Sequence, residues 1–105
     1  MKKKPLVSIL IASYNKEQYV KRCINSCLKQ SYKNLEIIFY DDGSKDKSFD
    51  IAKKFIKTKV FRNKTKKNLG IFNTYHQINS YNEAFSKSKG EYVLLLDSDD
   101  FFKKN

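Results

Sequence analysis

Four short apolar runs separated by segments of helical periodicity constrain this chain more than any other feature. Residues 6–12, 35–40, 59–62 and 91–96 have the length and the β-branched or aromatic content of strands. Between the first two, Tyr19, Val20, Cys23, Ile24, Cys27 and Leu28 recur on one face of a helix predicted over 16–30. A second helix is predicted over 47–57, with Phe49, Ile51, Ala52, Phe55 and Ile56 inward and Ser44 or Asp46 as its cap. A third lies within 71–88, with Tyr75, Ile78, Tyr81 and Phe85 inward, and Gly90 reads as the residue that closes it. The run at 59–62 is short and carries Lys59 and Arg62, which suits a sheet edge. The alternation β-α-β-α-β-α-β predicts a Rossmann-like three-layer α/β/α fold with a mostly parallel sheet. With 105 residues, one domain over 1–105 is expected.

In such sheets ligands bind beyond the carboxyl ends of the strands, and there the composition is unusual. The chain has eleven acidic residues and a formal net charge of +11. Five of those acids, Asp41, Asp42, Asp97, Asp99 and Asp100, stand just past the second and fourth apolar runs. Carboxylates this crowded repel one another unless a cation or a shared proton lowers the cost. Asp97-x-Asp99 can direct two hard oxygen ligands to one point, which favours Mn²⁺ or Mg²⁺. A solvated acidic turn capping a following helix is the plain alternative. The three glycines form neither a G-x-G-x-x-G turn nor a phosphate-binding G-x-x-x-x-G-K loop. A nucleotide would therefore be held by carboxylates and a bridging divalent cation.

The remaining composition narrows the partners. Cys23 and Cys27 fall on the inner face of the first helix, and a single histidine, His76, leaves too few soft ligands for a thiolate metal site. Twenty of the 22 basic residues are lysine. Lysines at 57, 59, 64, 66 and 67 with Arg62 could attract nucleic acid, but base and phosphate recognition recruits arginine forks. No nucleic-acid partner is expected. The basic start Met1-Lys2-Lys3-Lys4 is followed by too short an apolar stretch for a signal peptide, and no run is long enough to span a membrane. The chain is expected in the cytoplasm, its basic residues leaving room for peripheral association at the inner face of the membrane.

Four segments taken together carry a resemblance. They are Val7-Ser8-Ile9-Leu10-Ile11-Ala12-Ser13-Tyr14-Asn15, Tyr40-Asp41-Asp42-Gly43-Ser44-Lys45-Asp46, Asn68-Leu69-Gly70, and Gly90 through Asp100. In that order and spacing the chain resembles the N-terminal, nucleotide-sugar-binding part of the family-two inverting glycosyltransferases, which have the GT-A fold. The resemblance implies a bacterial polysaccharide-building enzyme of hexosyltransferase type. It would transfer a sugar from a nucleotide donor, with uridine diphosphate favoured, to a saccharide or lipid-linked acceptor. By position it places Tyr14 against the base, Asp42 on the base with Asp41 beside it, and Asp97 on ribose or metal. Asp99 becomes the principal metal ligand and Asp100 the support for the sugar-phosphate. Ser98 joins the donor pocket, and Ala12 and Ser13 line its floor.

Two departures accompany it. Ser80-Tyr81-Asn82 stands where many members have Ala-Arg-Asn, which leaves diphosphate neutralisation to Arg62 or to the lysines of the 64–67 loop. The general base and the acceptor site are expected beyond Asn105, so the chain reads as a fragment that binds donor and transfers poorly, with self-association through uncovered surface. A non-catalytic nucleotide-sugar-binding module is the first alternative. A basic nucleic-acid-binding α/β domain, with affinity falling steeply in salt, is the second.

Overall fold

The computed structural model describes residues 4–63 and 73–103, with the backbone alone at 73–76. The elements follow the expected order: β1 (Val7–Ser13), α1 (Glu17–Leu28), β2 (Leu35–Asp41), α2 (Ser48–Lys53), β3 (Thr58–Arg62), α3 (Asn73–Ser86) and β4 (Tyr92–Asp97). All the strand pairs are parallel, in the order β3-β2-β1-β4. The two central strands are apolar almost without alternation because both their faces are covered. Ile9, Ile11, Ile37 and Phe39 pack with Val20, Cys23, Ile24 and Cys27 of α1 and Ala52 of α2. Leu10, Ile38 and Tyr40 point the other way and meet Ala84 of α3. These are the three layers read from the sequence, and both cysteines are buried free thiols.

Tyr19 of α1, read as inward, is exposed at the margin of a face formed by Val20, Cys23, Ile24 and Cys27, and three further helix and strand faces differ from expectation. Helix α2 is six residues long, and Ile56 is 97% exposed instead of inward. The chain leaves the helix through Phe55 N–H to Ala52 O and Thr58 N–H to Phe55 O to reach β3, which turns Ile56 outward. On α3 the inward residues are Ser80, Tyr81 and Ala84, whereas Ile78 and Phe85 are exposed. Of the residues the apolar periodicity placed inward, Tyr81 packs on the sheet while Ile78 and Phe85 do not, and the Tyr75 side chain lies outside the described residues. Strand β4 is an edge among the described residues and exposes Tyr92, Leu94 and Leu95 on a run that reads as buried. The other edge is β3, as its lysine content suggested.

Polar residues inside the sheet lock its amino end. The Ser8 hydroxyl donates to Glu36 Oε2 at 2.6 Å and accepts from Gly90 N–H at 2.9 Å. Glu36 also accepts from Lys59 Nζ at 2.6 Å and from Lys89 N–H at 2.8 Å. One carboxylate thus ties β1, β2, β3 and the approach to β4. Burial would raise the Glu36 carboxyl, but the donors Lys59, Ser8 and Lys89 outweigh it and hold it below its ordinary value of 4.5. A depressed acid stabilises the fold above its unfolded-state value and loses that contribution as pH falls through the folded one. Glu36→Gln is expected to cost about 1–3 kcal/mol at neutral pH. In urea melts the gap from wild type should close as pH drops below about 4.5; a gap independent of pH would show that the charge contributes nothing.

Candidate functional site

The carboxyl ends of β1, β2 and β4 meet in one row because of strand register. Ser13 pairs with Asp41, which pairs with Arg62, and Ala12 pairs with Asp97. The loops after β1 and β2 are then sewn together. Asn15 takes a left-handed conformation (φ 51°) that asparagine tolerates. Its N–H donates to Ser44 Oγ at 2.8 Å and its Oδ1 accepts from Lys45 N–H at 2.8 Å. Asp46 accepts from Ser48 N–H at 2.9 Å and from Glu17 N–H at 3.1 Å, so a single carboxylate serves the first turns of both α1 and α2. The N-cap position of α2 falls on Lys47, not on Ser44 or Asp46 as read from the sequence, and Asp46 acts from one residue before it.

The structure separates the Asp41-Asp42 pair. Asp41 is fully buried, and its oxygens accept from the N–H groups of Gly43 (3.1 Å) and Ser44 (2.8 Å) and from the Ser44 hydroxyl. Burial pushes its carboxyl upward, opposed by those donors and by Arg62 at 3.8 Å. Asp41 therefore holds the loop, and its oxygens are spent there instead of facing a ligand. Asp42 accepts from Asn63 Nδ2 at 2.9 Å, and its own N–H donates to Ser13 O.

Arg62 is likewise committed. Its Nη2 donates to Ser44 O at 3.0 Å, and its guanidinium lies over the Phe49 ring at 4.9 Å. In the structure Arg62 clamps the β2 loop, one of the two places from which the sequence reading drew a diphosphate partner. The 64–67 lysines and Asn68-Leu69-Gly70 lie outside the described residues.

Tyr14, half-exposed at 46%, flanks the site beside the buried Ala12 and Ser13. The Ser13 hydroxyl is buried and has no hydrogen-bond partner among the described residues. After β4 the chain turns tightly. Ser98 N–H donates to Ala12 O at 3.1 Å, Asp100 N–H donates to Asp97 O at 2.9 Å, and Ser98 is buried. This turn brings ligand oxygens of Asp97, Asp99 and Asp100 within 4.8 Å of one another. Asp99 and Asp100 are exposed and Asp97 is half-buried. An all-carboxylate set of this spacing fits a hard divalent cation.

Four residues surround the acidic turn: Lys16, Arg22 and Gln77, which the sequence did not single out for the site, and Tyr81, which it placed inward and at the position where many family members have arginine. Lys16 Nζ lies 3.7 Å from Asp99 Oδ2. Arg22 donates to Asp99 O at 3.0 Å and stacks over Phe101 at 4.3 Å, which fixes the turn from the α1 side. Gln77 Nε2 and the Tyr81 hydroxyl both donate to Asp97 Oδ1 at 2.5 Å. Burial and that bond to Asp97 raise the Tyr81 phenol far above its ordinary value, so it remains a neutral donor. For Gln77 the available signal was helical spacing from Tyr81: 77 and 81 are four apart and share a face.

Comparison with known proteins supplies the family and the fold. An uncharacterized glycosyltransferase of Haemophilus influenzae is 41% identical over 101 residues, covering 92% of this chain and 37% of that protein. An Escherichia coli relative, UDP-Glc:alpha-D-GlcNAc-diphosphoundecaprenol beta-1,3-glucosyltransferase WfaP, is 37% identical over 92% of this chain and 36% of its own length. Among solved structures, Staphylococcus aureus TarS in complex with UDP superposes with a TM-score of 0.74 at 28% identity, over 91% of this chain and 28% of that one. The neighbouring structures are GT-A glycosyltransferases. The chain spans about a third of the length of the curated relatives it matches. The family model for glycosyl transferase family 2 matches residues 8–105, almost the whole sequence, and the chain belongs to that family.

Proposed function

We propose that this chain forms the donor side of an inverting glycosyltransferase of hexosyltransferase type. Its donor is a uridine diphosphate sugar held with a divalent cation, and its acceptor a saccharide or a lipid-linked saccharide. The observation that carries the reading is the acidic turn. Three carboxylates with ligand oxygens within 4.8 Å of one another stand at the end of β4, in register with Ala12. Two similarities support the donor class: the E. coli relative is named for a UDP-glucose donor, and TarS is known in complex with UDP.

In this reading Tyr14 offers its ring to the base, and Asp42, steadied by Asn63, hydrogen-bonds the base edge. Ala12 and Ser13 form the floor with little bulk, and Ser98 joins them there. Asp97 and Asp99 would hold the cation, with Asp100 supporting the sugar-phosphate. When bound, the ion supplies Lewis-acid stabilisation of charge growing on the departing diphosphate. Asp41 positions the loop that carries Asp42. Lys16, paired with Asp99, tempers the charge of the three carboxylates.

The test is calorimetric titration of UDP into the chain with and without Mn²⁺. Binding strengthened by the metal is the expected outcome. Failure to bind in both conditions would sink the donor-site reading, and affinity untouched by metal would remove the cation from it.

A further inference from the structure

We propose that Tyr81 and Gln77 are positioning residues for the acidic turn, pinning one oxygen of Asp97 so that the other is presented to a divalent cation. The inference rests on the donor-site reading above and adds residues to it. Both donors come from α3, one turn apart, and both reach the same atom, Asp97 Oδ1, at 2.5 Å. Two donors occupy that oxygen's acceptor capacity, which leaves Oδ2 as the oxygen available for coordination.

The phenol is well placed to act as a fixed support. Its ring packs against the cluster of Leu10, Ile38, Tyr40 and Ala84, and the helix is seated through the buried Ser80 and Ala84. Asp97 is fixed from the backbone side as well. Its carbonyl accepts the Asp100 N–H at 2.9 Å and faces the Cys23 thiol at 3.7 Å. Backbone, ring and carboxylate are therefore each tied to a different layer of the fold.

The chemistry of the donors matters as much as their geometry. A cationic donor at Asp97 would compete with a metal for the carboxylate's charge. A phenol and an amide orient the carboxylate and leave its charge intact. Lys16 sits on Asp99 and Arg22 on a backbone carbonyl, so among the described residues no cation is paired with Asp97. The turn thus keeps at Asp97 the negative charge a cation requires. Partners that orient ligating groups are commonly worth 10–100-fold in metal affinity.

The experiment is titration of Mn²⁺ into the UDP-saturated 105-residue chain, alongside UDP titration in chelator, for wild type, Tyr81→Phe, Gln77→Leu and the double variant. Tyr92→Phe, an exposed phenol on β4, serves as control. Tyr81→Phe keeps the packed ring and loses only the donor. It is expected to weaken Mn²⁺ about tenfold while UDP affinity in chelator stays unchanged, and the double variant should lose more than either single. Mn²⁺ affinity in Tyr81→Phe equal to wild type would overturn the positioning role and leave the donor site standing. Parallel loss of both affinities would show a structural role and also overturn it. Absence of Mn²⁺ binding in the wild type would overturn both readings.

Discussion

Asp99→Ala is expected to abolish the contribution of Mn²⁺ to UDP binding, a loss on the order of 100-fold or more in metal affinity. Outer-shell partners alone are worth about 10–100-fold, and a direct ligand exceeds them. The carboxylate is exposed and, among the described residues, its ion pair is with Lys16 at 3.7 Å. Exposed pairs contribute about 0–1 kcal/mol, so the substitution should leave the fold intact. The same weakness means that a divalent ion can displace Lys16 at small cost, whereas Asp41, buried and hydrogen-bonded three times, could not be recruited in that way. Calorimetry with and without Mn²⁺, beside a thermal melt, separates the two effects. Metal-dependent affinity surviving in Asp99→Ala would remove this residue from the ligand set.

Gly90→Ala is expected to destabilise the fold severely. A Cβ at Gly90 would stand 2.4 Å from Ser8 Oγ, 2.7 Å from Ser8 N and 2.9 Å from Leu6 O. Two of those atoms are backbone of β1 and its approach, so relief requires the strands themselves to separate. Leu6 O already accepts from Glu91 N–H at 2.8 Å, and Gly90 N–H donates to Ser8 Oγ, which is also the hydroxyl that serves Glu36. Overpacking of this kind costs about 3 kcal/mol or more, or roughly 10–20 °C in melting temperature for a domain of this size. A circular-dichroism melt measures it. A Gly90→Ala chain melting within a few degrees of wild type would show that the β1–β4 junction yields readily.

That glycine illustrates where local reading stops. In the sequence Gly90 follows a helical pattern and reads as the residue that closes it, yet α3 ends at Ser86 and, among the described residues, the left-handed glycine is Gly43 (φ 84°). Gly90 is required by a strand eighty residues earlier, a contact that no window of sequence contains. The exposed Ile78 and Phe85 teach the same lesson. Their spacing is helical, but which face of α3 turns inward depends on where the sheet lies.

By itself, then, the sequence determined the order of strands and helices, the three layers, the parallel sheet and the place of the acidic turn. These follow from apolar runs, 3.6-residue periodicity and charge density, which are properties of neighbouring residues. The recurrence of four spaced segments also sufficed to identify the family. The tertiary structure alone decided how the carboxylates divide their work. Parallel register set Asp41 beside Arg62 and closed the β2 loop around it, making it an anchor and leaving Asp42 beside Asn63. The packing of α3 on β1 and β2 delivered Tyr81 and Gln77 to Asp97, and α1 delivered Lys16 and Arg22 to Asp99. Each pairing joins residues 16 to 83 positions apart, and such partners are chosen by how layers dock, a choice local composition does not encode.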